Sequence, residues 1–326
     1  MNTKPKLAFY WCASCGGCEE AVVDLSEDIL GVLEAVDIVL WPCAMDFKKA
    51  DLEAMPDKSI VATLLNGAIR TSEQEEMAHL LRRKSQHLIA FGACAQLGGI
   101  PSLANQFPRE QILRYVYDES TTTENPSKTR PLPEFKNNGH CLTLPVLRNV
   151  VRSLDQVVEV DYYIPGCPPT PKIIKAAVTA LLEGNLPAKG SVLAPDVALC
   201  DQCPRKATKP GDLRFAQFNR PHMVRLDSTT CFLAQGVVCL GPATRSGCEA
   251  ACINGGMPCS GCFGPTSRAR DQGAKMLSSL CGGIAAKEEA PIAETLAGIP
   301  DPIGTFYRYG LAKSLLRRKV DLGQNS

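Results

Sequence analysis

Twelve of the sixteen cysteines fall into groups that suit inorganic iron–sulfur cubes, each of which takes four thiolates. Cys15, Cys18, Cys94 and Cys167 are spread through the N-terminal half. The other eight, Cys200, Cys203, Cys231, Cys239, Cys248, Cys252, Cys259 and Cys262, crowd into 63 residues further on, enough for two complete sets. Within that window C-D-Q-C (200–203) and C-S-G-C (259–262) form two C-x-x-C clips, and the cysteines between them are spaced C-x7-C-x8-C-x3-C. Spacing alone leaves open which of the eight share a cluster.

Two other chemistries use many cysteines: disulfide stapling in an oxidising compartment, and structural zinc. The chain shows no apolar run of transmembrane length, no secretory signal pattern and no twin-arginine export signal, so the expected location is the cytoplasm. In a reducing cytosol this cysteine content points to metal or redox chemistry. A formal net charge of +1 gives no broad basic field and no case for nucleic acid, and 45% hydrophobic with 21% charged residues describes a globular chain with a sizeable core.

Elements must bring the four scattered cysteines together. Apolar runs alternating with helical patterns predict a doubly wound α/β sheet. The expected strands are KLAFYW (6–11), DIVLWP (37–42), SIVATLLNG (59–67), HLIAFGAC (87–94) and EVDYYIPGC (159–167). Helices are expected over 18–31, over 73–84 with Ser72 as N-cap and Glu75 three residues on, and from Pro171 to a stop at Gly184. On that frame Cys15 and Cys18 follow the first strand, Cys94 the fourth and Cys167 the fifth. Ligands of open α/β sheets bind outside the carboxyl ends of strands, so these four thiolates converge on one cluster in this reading. Gly16, Gly17, Gly92 and Gly166 beside them let backbone approach a bulky group.

Residues 120–145 read as an irregular insertion, either a solvated loop or a segment lying against a partner or cluster. The region 200–262 has weak hydrophobic periodicity, so few strands are expected and much of its folding energy would come from metal. Cys12 makes a ferredoxin-like C-x2-C-x2-C run with Cys15 and Cys18, but no fourth cysteine follows at short spacing. Cys43, Cys141 and Cys281 read as buried free thiols, Glu19 and Glu20 as acids opening a helix, with proton transfer or docking as the alternative, and 310–320 as a short amphipathic surface helix.

Taken together, C-G-G-C-E-E (15–20), G-A-C (92–94), G-C-P-P (166–169), C-x-x-C-P-R (200–205), C-L-G-P-A-T (239–244) and P-C-S-G-C (258–262) resemble the small, electron-transferring subunit of nickel–iron hydrogenases over nearly the whole chain. G-P-A-T-R-S-G-C (241–248) and D-P-I-G-T-F-Y-R-Y (301–309) resemble the F420-non-reducing branch. The resemblance implies a flavodoxin-like domain (1–190) and a small, irregular Cys-rich domain (191–326), holding three [4Fe–4S] clusters. It implies a proximal cluster on Cys15, Cys18, Cys94 and Cys167, a distal one on Cys200, Cys203, Cys231 and Cys239, and a medial one on Cys248, Cys252, Cys259 and Cys262. Respiratory members have a histidine where this chain has Cys200, and Cys252 restores a medial ligand that they often lack.

The same resemblance places hydrogen activation on the nickel–iron site of a separate large subunit, leaving this chain no catalytic residue; its four histidines show no metal-protease or triad spacing. The implied partners are that large subunit and a downstream acceptor. The acceptor is a heterodisulfide-reductase-type module reached through an iron–sulfur adaptor, or an F420- or NAD(P)-reducing module. The competing readings are a relay in a complex without nickel, a zinc-stabilised interaction module, and the related quinone-reducing complex I subunit, against which the eight added cysteines argue.

Overall fold

A computed structural model describes residues 4–317. In chain order its first elements are β1 (Lys6–Trp11), α1 (Gly17–Val23), α2 (Asp28–Ala35), β2 (Asp37–Leu40), α3 (Lys49–Ala54), β3 (Ile60–Asn66), β4 (Ile69–Thr71), α4 (Ser72–Lys84), β5 (Ser85–Phe91) and α5 (Gly92–Leu97). There follow α6 (Arg109–Arg114), β6 (Glu134–Asn137), β7 (His140–Thr143), β8 (Leu147–Arg152), β9 (Tyr162–Ile164), α7 (Pro171–Leu182) and β10 (Ser191–Val192). Six strands form one parallel sheet in the order β10-β9-β5-β3-β1-β2. The chain reverses direction across the sheet between β1 and β3, the switch point of the flavodoxin-like winding.

Parallel strands covered on both faces read as continuous apolar runs, and β3 is buried along nearly its whole length. One core layer joins Phe9, Leu64, Phe91 and Ile164 to Val22 and Ile174 of α1 and α7. The opposite layer joins Leu65, Leu88 and Ala90 to Met77 and Leu81 of α4.

Several expectations are corrected. The helix expected over 18–31 is two helices, broken where Ser26 takes φ 53°. The N-cap of α4 is Thr71, whose hydroxyl accepts from Gln74 N while the Gln74 side chain accepts from Thr71 N, one residue before the expected cap. Cys94 lies not in a strand but in α5, since β5 ends at Phe91. The insertion contains an exposed antiparallel hairpin, β6 with β7, turning at Asn138–Gly139, both with positive φ (50° and 81°). Asn-Gly is the residue pair that such a two-residue turn demands.

Past β10 the chain has few regular elements: α8 (Ala251–Asn254), α9 (Gln272–Gly282), α10 (Glu289–Ala297) and α11 (Pro302–Phe306), joined by short turns. It nevertheless has an apolar core of its own, built on Phe215, Phe218, Phe232, Met276, Leu280 and Phe306. Met276 and Leu280 lie one turn apart on α9 and Phe306 ends α11, while Phe215, Phe218 and Phe232 come from irregular segments, which carry no period to read. The amphipathic helix expected over 310–320 is a single turn, Leu311–Lys313, with residues 318–320 outside the described part. Among the described residues no helix is long and apolar enough to cross a membrane.

Candidate metal centres

Cys15 stands in the loop between β1 and α1, and Cys18 in the first turn of α1. That loop is clamped from behind. Ser14 Oγ donates to Asn66 Oδ1 (2.9 Å) and accepts from Gly16 N (3.4 Å), while Trp11 Nε1 donates to Ser14 O (3.3 Å). The buried Glu19 carboxylate accepts from Trp41 Nε1 and from Asn66 Nδ2. Burial raises the Glu19 pKa, and these two donors oppose the rise. Glu19 is thus a strut joining α1 to β3 and to the turn after β2, while Glu20 is exposed.

Cys94 comes off β5 and Cys167 off β9, with the Cys167–Pro168 bond cis. Their approach is set by glycine. A Cβ at Gly92, where φ is +85°, would stand 2.3 Å from Cys18 Sγ, and one at Gly99, where φ is +58°, 2.3 Å from Cys94 Sγ. Neither position admits a side chain. Burial first, then Cys167 and Cys15, push the Cys94 thiol up to about 12 against a backbone hydrogen bond from Ile100. Cys18 is raised by burial first, then by Cys94, Cys167 and Cys15. Cys167 is raised by burial and by Cys15. The four thiols therefore sense one another: folding brings them to one end of the sheet.

The other eight also neighbour one another. Cys200 is pushed up to about 12 by burial and then by Cys239, Cys203 and Cys231, with Lys209 opposing. A Cβ at Gly241 would lie 3.3 Å from Cys200 Sγ and 3.7 Å from Cys239 Sγ, so these two thiols flank one glycine. Burial first, then Cys248, Cys167 and Cys252, push Cys262 up to about 12 against a hydrogen bond from the Cys167 backbone. Cys259 is raised by burial, by Cys239 and by its clip partner Cys262. Two contacts cross between groups: Cys259 N donates to Cys239 Sγ at 3.3 Å, and Cys262 senses Cys167.

Metal is bound by the thiolate, so loading these sites would release protons. Among the described residues no three Cys, His, Asp or Glu side chains close on a single ion-sized point. A cubane takes four thiolates set around a body of several atoms, where a zinc ion draws its ligands onto one point. With glycine-lined approaches, the donor set fits iron–sulfur clusters.

The leftover cysteines separate cleanly. Cys12 is buried at the end of β1 in the core layer beneath α4, where burial and Glu73 raise it and none of the grouped thiols contributes. It is a core residue rather than the start of a ferredoxin run. Cys43, Cys141 and Cys281 are exposed, contrary to the expectation of buried thiols.

A parallel sheet that carries four thiols beyond its carboxyl ends, continued by a segment with eight more, defines an iron–sulfur redox subunit. The sequence profile of the family "NADH ubiquinone oxidoreductase, 20 Kd subunit" matches residues 15–181. The chain belongs to the family of small iron–sulfur subunits of F420-non-reducing hydrogenases. It is 40% identical to the F420-non-reducing hydrogenase iron–sulfur subunit of Archaeoglobus profundus over 97% of this chain and 98% of that one. It is 33% identical to the corresponding F420-non-reducing hydrogenase subunit of Methanothermobacter thermautotrophicus, over 98% of each chain. In fold it is similar to a chain of the [NiFeSe]-hydrogenase of Dm. baculatum (TM-score 0.51, 17% identity, 82% of this chain and 96% of that one).

Proposed function

We propose that this chain is the electron relay of a [NiFe] hydrogenase, passing electrons between the nickel–iron site of a separate large subunit and a downstream acceptor through three [4Fe–4S] clusters. The chain supplies ligands, spacing and insulation, and the clusters when bound supply one-electron redox capacity. In this reading a sheet-bearing unit (1–190) holds the proximal cluster on Cys15, Cys18, Cys94 and Cys167. A Cys-rich unit (191–326) holds the distal cluster on Cys200, Cys203, Cys231 and Cys239 and the medial one on Cys248, Cys252, Cys259 and Cys262.

The observation that supports the proposal is the placement of Cys15, Cys18, Cys94 and Cys167 beyond the carboxyl ends of β1, β5 and β9, with Cys200 and Cys239 flanking Gly241. Cys94 is raised by Cys167 and Cys15, Cys200 by Cys239, Cys203 and Cys231, and Cys262 by Cys248 and Cys252. Exposure at one end of the chain supports a covering partner: Cys15 is exposed beside a half-exposed Trp11, and a cluster held there needs another protein surface to shield it. The proposed acceptor is a heterodisulfide-reductase-type module reached through an iron–sulfur adaptor, with an F420- or NAD(P)-reducing module as the alternative, and the proposed compartment is the cytoplasm.

Metal and acid-labile sulfide analysis of the anaerobically purified complex tests this. About twelve iron and twelve sulfide per copy of this chain, with nickel on its partner, is the expected result. Zinc without sulfide would overturn the cluster assignment; a full iron count without nickel would overturn the hydrogenase partner while leaving the relay.

A further inference from the structure

Past α11 the chain runs as a strap that is tied to both the Cys-rich segment and the sheet. Tyr307 covers Gly273 of α9, where an added Cβ would stand 2.6 Å from the tyrosine ring. Further on, Ala312 lies against Gly98, where a Cβ would stand 2.5 Å from the alanine Cβ. Gln156 Nε2 donates to Ala312 O at 2.9 Å, and Lys313 Nζ pairs with Asp155 at 2.5 Å. Leu315 N then donates back to Asp271, the N-cap of α9, at 2.8 Å.

Tyr309 sits midway along this strap and reaches a thiol set on each side. Its carbonyl accepts from Gly99 N at 3.0 Å, and Gly99 is the glycine pressed against Cys94 Sγ. Its hydroxyl shares a hydrogen bond of 3.2 Å with Ser260 Oγ, inside the C-S-G-C clip between Cys259 and Cys262. One residue thus spans from the first set to the third, by main chain on one side and by side chain on the other. The phenol's surroundings agree: burial raises its pKa, the Ser260 hydrogen bond opposes, and Cys262 and Cys167, one from each set, add to the rise. The tie matters because the two sets ride on different bodies, Cys94 and Cys167 on elements of the sheet and Cys259 in the C-terminal core. Electron transfer falls steeply with separation, and groups behind the ligands fix where the ligands stand.

We propose that Tyr309 is a positioning residue for the relay: its hydroxyl bond to Ser260 fixes the spacing between the cluster on Cys15, Cys18, Cys94 and Cys167 and the cluster on Cys248, Cys252, Cys259 and Cys262. This brace rests on the relay reading of those two sets. It acts through the clip and supplies no ligand of its own.

The anaerobically purified complex is compared as wild type, Tyr309→Phe, Ser260→Ala and the double variant, with iron and sulfide counted in each. Electron paramagnetic resonance of the reduced complex reads the magnetic splitting between neighbouring clusters, which depends on their separation and not on turnover. The expected result is a full iron count throughout, a splitting altered beyond the line width in Tyr309→Phe, the same alteration in Ser260→Ala, and no further change in the double variant, since all three lack one and the same bond. A wild-type splitting in both single variants at full iron overturns the brace and leaves the relay standing, as do changes that add in the double variant. If Tyr309→Phe does not hold its iron, Ser260→Ala decides alone, because it breaks the bond from the clip side. A wild-type complex without iron and sulfide overturns the relay reading, and the brace falls with it.

Discussion

Asp161 offers a quantitative test of how the sheet holds its thiols. It stands just before β9, which leads to Cys167, and its carboxylate accepts from Leu88 N (2.8 Å) in β5, which leads to Cys94. Arg82 of α4 (2.5 Å) and Lys189 (2.6 Å) complete its surroundings, and the side chain is 1% exposed. Burial alone would raise its pKa, but Arg82, Lys189 and the Leu88 N–H outweigh it and bring it from 3.8 down to about 2. At about 1.4 kcal/mol per pH unit that shift corresponds to roughly 2 kcal/mol of stability at neutral pH. Lys189 is 60% exposed, so solvent screens its share and about 1–2 kcal/mol is the better figure.

Asp161→Asn keeps an acceptor for Leu88 N but removes the charge, so the urea midpoint followed by fluorescence of Trp11 and Trp41 should fall by the equivalent of about 1–2 kcal/mol at pH 7. Because the folded pKa is depressed, the contribution is fully present above the unfolded value near 3.8 and is lost as pH falls toward 2. The gap between wild type and variant should therefore hold from pH 7 to 5 and narrow below pH 4. Equal midpoints at pH 7, or a gap that is constant down to pH 2.5, would refute the clamp.

Three further substitutions probe the thiol sets. Cys252→Ser removes one proposed medial ligand and should lower iron by one to four atoms per chain while leaving the other two clusters; an unchanged electron paramagnetic resonance spectrum would sink the medial assignment. Gly99→Ala puts a methyl 2.3 Å from Cys94 Sγ and 2.7 Å from Cys94 Cα on a positive-φ backbone, so loss of the proximal cluster signal and a cost of about 2 kcal/mol or more are expected by spectroscopy and unfolding. Glu19→Ala strands the buried Trp41 Nε1 donor and leaves Asn66 Nδ2 only its 3.4 Å bond to Tyr10 O, costing about 1–3 kcal/mol. A melting temperature within a degree of wild type would show that the strut is dispensable.

The sheet was legible in the sequence because buried parallel strands are written as unbroken apolar runs: β1 matches KLAFYW, and β3 lies inside SIVATLLNG. Once strands are placed, Cys15, Cys18, Cys94 and Cys167 fall beyond strand carboxyl ends, where such sheets bind ligands. The edges were harder. β10 is two residues long, too short for any periodic signal, and β9 begins only at Tyr162 because Asp161 before it turns inward to Arg82. The break between α1 and α2 rests on a left-handed serine, a conformation with no serine-specific signature. The hairpin did have a signature, Asn138–Gly139, but its strands are exposed on both faces and lack apolar alternation. Residues such as Phe218, Met276 and Phe306 make one core from segments far apart in sequence, which only tertiary structure reveals.

The order of the thiol groups in space differs from their order along the chain, and that difference explains the fold of the Cys-rich segment. Cys200 to Cys239 comes second in sequence, yet the set that touches both others is the third, Cys259 meeting Cys239 and Cys262 meeting Cys167. The chain must therefore pass outward to the second group and then double back. It does so after Cys239: Leu240 N donates to Cys259 O at 2.9 Å, which lays the outgoing and returning segments side by side. The C-S-G-C clip then straddles two cores, with Cys259 buried in the C-terminal one and Phe263, just past the clip, buried against the sheet. In the proposed relay this would fix the third group, the middle station, against both ends, since the clip lies between the core on the sheet and the C-terminal core.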